Sequence, residues 1–173
     1  MKGTSQHHPV RQCGRTGLYR WQHSAKKLFQ RISRREDTMK RLLALGAGTA
    51  GTIVVNKLRR ALDPEEWDIT IVDQSEVHHY QPGYLFIPFG IYTRNDVLKP
   101  RRDYIPPGVK MILSRIEAIE PDQNRVRLEK DNRYLPYDFL VIATGSQPRY
   151  EEVPGLLGPE WRKSIHEFYT LEG

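Results

Sequence analysis

KRLLALGAGTAGTIVVNKLRRAL, residues 40–62, decides the fold. Its apolar run, Leu42 to Leu45, lacks alternating polar residues and so suits a strand buried on both faces. Gly46, Gly48 and Gly51 follow in the order G-x-G-x-x-G. Beyond them Ala50, Ile53, Val54, Leu58, Ala61 and Leu62 recur at helical spacing, with Asn56, Lys57, Arg59 and Arg60 filling much of the other side. Asp63-Pro64 ends the helix, and WDITIVD, residues 67–73, supplies a second strand. Strand, glycine turn, helix and strand in that order predict a βαβ unit, and with it an α/β fold built on a parallel sheet.

Each glycine has a physical task if such a unit binds a dinucleotide. Gly46 permits the tight turn, Gly48 lets the backbone approach a pyrophosphate, and Gly51 lets helix and strand pack closely. The helix N-terminus offers free N–H groups and a partial positive charge to the phosphates. Asp73 lies 22 positions after Gly51, where an acid can accept hydrogen bonds from ribose hydroxyls. Thr49 and Ala50, between the glycines, and Gln74, beside Asp73, join the candidate set.

The chain does not continue as a simple alternation of helices and strands. SRIEAIEP (114–121), NRVRLEKDN (124–132) and RYLPYD (133–138) are short segments separated by turn residues. Ile116 and Ala118, then Val126 and Leu128, alternate with charged neighbours, the period of half-buried antiparallel strands. FLVIATGS (139–146) follows: Phe139 to Ala143 reads as another fully buried strand, and Thr144-Gly145 falls at the carboxyl edge, where open α/β sheets bind ligands.

DQSEVHHYQPGYLFIPFGIY, residues 73–92, fits no regular element. Pro82, Gly83, Pro88 and Gly90 forbid a long helix, and the run is far short of the roughly 20 apolar residues that cross a membrane. Leu85, Phe86, Ile87 and Phe89 are candidates for plain core packing. His78 and His79 have no third ligand in reach along the sequence, so no metal site is expected there.

GAGTAG (46–51), IVD (71–73), the meander and ATG (143–145) together resemble the two-dinucleotide-domain flavoproteins, and HHYQPG (78–83) narrows the likeness to the sulfide:quinone oxidoreductases and their close relatives. The resemblance covers roughly residues 39–173. It implies a Rossmann-like FAD-binding domain, with a parallel sheet and an antiparallel three-stranded meander, incomplete at the carboxyl end. FAD is the implied cofactor. Gly46, Gly48, Thr49, Ala50, Gly51, Asp73 and Gln74 would then hold its nucleotide part. Gln81 would touch FAD from a loop that Pro82 and Gly83 keep extended, and the aromatic run beyond would shield the flavin. The backbone of Ile116 would read the adenine ring, and Thr144 and Gly145 would approach the diphosphate or ribose.

In that family sulfide oxidation runs through a pair of redox cysteines beside the flavin, and electrons pass through FAD to a quinone. This chain has one cysteine, Cys13, remote in sequence from the site. Its catalytic residues are therefore unassigned, and the resemblance leaves three readings open: a sulfide:quinone oxidoreductase, an NADH:quinone oxidoreductase of the same architecture, or an inactive nucleotide-binding fragment. HEFYTLEG, residues 166–173, reads as the opening of a helix, so the chain is expected to be the amino-terminal piece of a longer flavoprotein. Quinone and sulfide, or another small electron donor, are its implied partners.

Net charge is +6, but residues 1–38 hold nine of the 27 Lys/Arg and only two of the 21 Asp/Glu. The basic balance belongs to this leader, and no nucleic-acid surface is expected on residues 39–173. The leader reads as a disordered or misassigned extension before Met39, or as an Arg- and Ser-rich mitochondrial targeting segment. The first reading places the protein in the cytoplasm, with peripheral attachment to the inner face of the membrane through other parts; the second places it in mitochondria. Removing residues 1–38 should leave the melting temperature and cofactor binding unchanged. A large fall in melting temperature would show that the leader packs on the domain.

Overall fold

The computed structural model describes residues 39–173; the readings of residues 1–38, Cys13 included, lie outside the described residues. The expected βαβ unit forms: β1 (Lys40–Leu45), α1 (Thr49–Ala61) and β2 (Trp67–Asp73). An excursion follows, containing β3 (Val77–His79), a 3-10 turn (Gln81–Phe86), the short helix α2 (Arg94–Val97) and β4 (Leu98–Pro100). The chain then returns as β5 (Val109–Leu113), makes the meander β6 (Ile116–Glu120), β7 (Arg125–Leu128) and β8 (Tyr134–Pro136), and re-enters the main sheet as β9 (Phe139–Ile142). That sheet has the order β5-β2-β1-β9 with every pair parallel. The meander is a separate antiparallel sheet, and β3 and β4 form an antiparallel pair.

The apolar run of β1 is explained by two cores. Leu42 and Ala44 face one way and pack with Val55, Ile69 and Ile71, joined by Leu58 and Leu62 of α1. Leu43 and Leu45 face the other way, packing with Val72 and with Val126, Leu128 and Tyr137 from the meander. Successive side chains of a strand point to opposite faces, so only a strand covered on both sides has use for four consecutive apolar residues.

Four expectations are corrected. The buried members of α1 are Gly51 and Val55, while Ile53 is half exposed, because Gly51 presses against the glycine turn and fixes the helix's rotation. β9 is not fully buried: as the edge strand it pairs, among the described residues, only with β1, and Phe139 and Ile142 are exposed. The 81–86 stretch is curled and not extended; a 3-10 turn sends successive side chains about 120° apart, so Tyr84 turns inward while Leu85, Phe86 and, further on, Phe89 stay exposed. Residues 167–173 form bends without helix, although Glu167 accepts hydrogen bonds from the N–H groups of Tyr169 and Thr170, as a capping side chain does.

One exposed ion pair ties β1 to the start of β9. Arg41 donates to Asp138 through Nε at 3.1 Å and Nη2 at 2.8 Å, and its backbone N–H adds a third bond at 2.7 Å. These bonds hold the Asp138 carboxyl down to about 2. Because the folded value is depressed, the stabilisation is complete above the unfolded value of about 4 and is lost as pH falls through about 2. Asp138→Asn should therefore cost stability at pH 7, by about 1 kcal/mol or less given solvent screening. In urea melts that difference should shrink below about pH 4; a difference independent of pH would refute the assignment.

Candidate functional site

A cleft of about 660 Å³ runs along the carboxyl ends of the parallel strands, beside a smaller one of about 340 Å³. Both are lined by Gly46 after β1, Asp73 and Gln74 at the end of β2, and Thr144 after β9. The switch in strand order falls between β1 and β9, which is where an open α/β sheet leaves a crevice. Gly46 makes the turn at φ +92°, and a Cβ there would overlap the Ala143 carbonyl. A Cβ on Gly51 would overlap the Gly46 carbonyl oxygen, so the helix can start this close to the strand only without one. Gly48 differs: a Cβ there meets nothing within 4 Å, because it points into open space at the cleft.

Gly48 is also the N-cap of α1, with no side-chain cap bond and no acidic residue in the first turn. The first N–H groups of a helix have no intrahelical partner. Here they begin at a cleft edge lined by Gly48, Thr49 and Ala50, a donor set suited to an anion.

The loop is held from behind. Asp73 accepts the Ala47 N–H at 2.7 Å and the Ser75 N–H at 2.9 Å. Arg101, only 6% exposed, donates to the Ala47 carbonyl, to Ser75 at 2.8 Å and to Val77 at 2.6 Å, and lies 3.5 Å from the Asp73 carboxylate. Burial pulls the Arg101 guanidinium below its ordinary value, with Asp73 opposing. Burial, then the Arg101 charge, lowers His78 and His79, and so favours their neutral forms. His79 Nδ1 is hydrogen-bonded to the Tyr84 hydroxyl. Burial, with Glu172 adding to it, raises that hydroxyl.

Of the residues expected from sequence, Gly46, Gly48, Thr49, Ala50, Asp73 and Gln74 come together in the larger cleft. Gln81, Thr144 and Gly145 line it too, with Gln81 Nε2 donating to the Tyr169 carbonyl at 3.0 Å. Ile116 lines the smaller cleft with Ser114 and Arg115, and Arg115 Nε donates to the Gln74 side chain at 3.2 Å. Gly51 stands behind the loop, and Pro82 sits at the start of the 3-10 turn; neither lines a cleft. Sequence reasoning missed Arg101, one of two adjacent arginines with no motif around it, and the segment 169–172, whose place depends on the fold alone.

A glycine turn into an uncapped helix, an acid ending the second strand and a cleft at the switch point define a dinucleotide-binding α/β domain. The chain belongs to the pyridine nucleotide-disulphide oxidoreductase family, matched over residues 40–171. This is a family of FAD-dependent flavoproteins. The chain is 32% identical over 143 residues to the mitochondrial sulfide:quinone oxidoreductase of Dictyostelium discoideum, covering 83% of this chain and 31% of that protein. It is 31% identical over 119 residues to the type II NADH:quinone oxidoreductase of Staphylococcus haemolyticus, covering 68% and 29%. The solved sulfide:quinone oxidoreductase of Aquifex aeolicus shares the fold with a TM-score of 0.61 and 24% identity, covering 77% of this chain and 29% of that one. The chain thus spans about a third of the length of these curated relatives.

The glycines yield a test with opposite expected outcomes. Gly48→Val should fold, losing less than about 1 kcal/mol at the cap, yet retain no FAD, because its branches enter the cleft. Gly51→Ala should instead lower the melting temperature, as an overpacked contact costs about 1–3 kcal/mol. Normal flavin content in Gly48→Val would refute the placement.

Proposed function

We propose that this chain is the FAD-binding, amino-terminal part of a flavin-dependent oxidoreductase that passes electrons from sulfide, or a related sulfur donor, to a quinone. The observation that carries this is the glycine-loop cleft together with HHYQPG, in a chain whose relatives include sulfide:quinone oxidoreductases. Bound FAD would supply the two-electron chemistry. The N–H groups at the start of α1 would bind its diphosphate, aided by Thr144 and Gly145 at the facing strand end. Asp73, with Gln74, would accept the ribose hydroxyls, and the Ile116 backbone would meet the adenine. Gln81 would hold the flavin end and, through Tyr169, draw residues 169–172 over the cleft to exclude water.

A second reading, of the same architecture, takes NADH as the donor. Similarity to type II NADH:quinone oxidoreductases supports it. No helix among the described residues is long and apolar enough to cross a membrane. We place the protein peripherally on a membrane that holds its quinone, in mitochondria if residues 1–38 are a targeting segment.

Titrating FAD into the apo protein tests the reading: the flavin absorption should shift and its fluorescence quench at one FAD per chain, and a chain that takes up no FAD refutes it. Anaerobic bleaching by sulfide or by NADH then separates the donors. Gln81→Ala should weaken FAD binding by about 0.5–1.5 kcal/mol, the net worth of one neutral hydrogen bond, and Asp73→Asn by about 1.5–3 kcal/mol, since its acceptor is charged. Native affinity in Gln81→Ala would show that the loop only packs.

A further inference from the structure

The excursion between β2 and β5 returns to the sheet through Arg101, whose backbone N–H donates to the Glu76 carbonyl at 2.7 Å. Its side chain reaches across 54 positions to the glycine loop. Both peptide groups flanking Ala47 are tied: the N–H to Asp73, the carbonyl to Arg101 and to the Thr52 hydroxyl at 3.1 Å. The same guanidinium holds the carbonyls of Ser75 and Val77, which lead into β3 and its two histidines. Removing a guanidinium from water is costly unless its donors are matched, and here three carbonyls and a carboxylate meet them. A fixed planar fork can serve acceptors on three sides at once; an ammonium on a flexible stem cannot.

We propose that Arg101 is a positioning residue of the dinucleotide cleft: its buried guanidinium locks the glycine loop to the strand bearing His78 and His79, and so aims the first N–H groups of α1 into the cleft. This rests on the cleft being the FAD site. Arg101 acts through Ala47, so its removal changes the geometry offered to the diphosphate even where the fold survives.

The test compares FAD dissociation constants of the wild-type chain, Arg101→Lys and Leu128→Ala. Leu128 is buried on the meander face and lines neither cleft, so its truncation lowers stability without touching the loop. Arg101→Lys should keep its far-ultraviolet dichroism and raise the dissociation constant tenfold or more, with weaker flavin quenching. Leu128→Ala should melt earlier yet bind within twofold of wild type. Arg101→Lys binding within threefold of wild type overturns the proposal, as does an equal loss in Leu128→Ala. Should Arg101→Lys not fold, hydrogen exchange on the wild-type chain decides: FAD should slow exchange at the Arg101 N–H along with the glycine loop, and an unchanged Arg101 overturns the link. A wild-type chain that binds no FAD sinks the cleft assignment itself and this inference with it, an outcome separate from the others.

Discussion

The rest of the structure depends on the close approach of Gly51 to the carbonyl of Gly46. That contact brings the first turn of α1 against the end of β1, so Val55, Leu58 and Leu62 reach the sheet and Ile53 is turned outward. It also forces the chain to reverse at Gly46 with a positive φ, beside the Ala143 carbonyl of the strand that re-enters from the meander. A side chain at either glycine would separate helix, β1 and β9 together. The cleft is what remains when these three ends meet with a glycine at each point of closest approach.

Where burial dictates residue type, the sequence was readable. Leu42–Leu45 had to be apolar at every position because two cores use alternate members, and the meander had to alternate because Val126 and Leu128 face one core while their neighbours face out. The glycines, Asp73 and Gln74 were readable because backbone geometry and strand-end chemistry admit few residues there; the structure gathers Gly46, Gly48, Asp73 and Gln74 in one cleft and packs Gly51 behind the loop. The aromatic run after Gln81 misled for a physical reason. Hydrophobicity says that a side chain favours burial, not that a curled 3-10 segment can bury every side at once, and Leu85, Phe86 and Phe89 remain exposed. β9 misled likewise, since an apolar strand does not reveal from its own sequence whether it has one neighbour or two. Arg101 left no signal because its partners are mostly backbone carbonyls, which every residue type carries.

The electrostatics of the cleft follow from that last point. The Arg101 charge is turned inward, onto carbonyls and Asp73, and burial together with that charge favours neutral His78 and His79. Thus the feature facing the proposed diphosphate position is a helix terminus with oriented N–H groups, not a mobile cation. Such donors attract an anion only when correctly aimed, whereas a lysine on a flexible stem would attract it from many directions. Recognition of this kind needs the loop's peptide planes fixed in advance, and no apolar packing can do this at the rim of a cleft open to water. Polar ties from the end of β2 and from the start of the return segment do it instead. This also explains why the excursion, whose strongly buried apolar members are few, with Tyr84 and Val97 foremost among them, is held to the domain at the point where it passes the glycine loop.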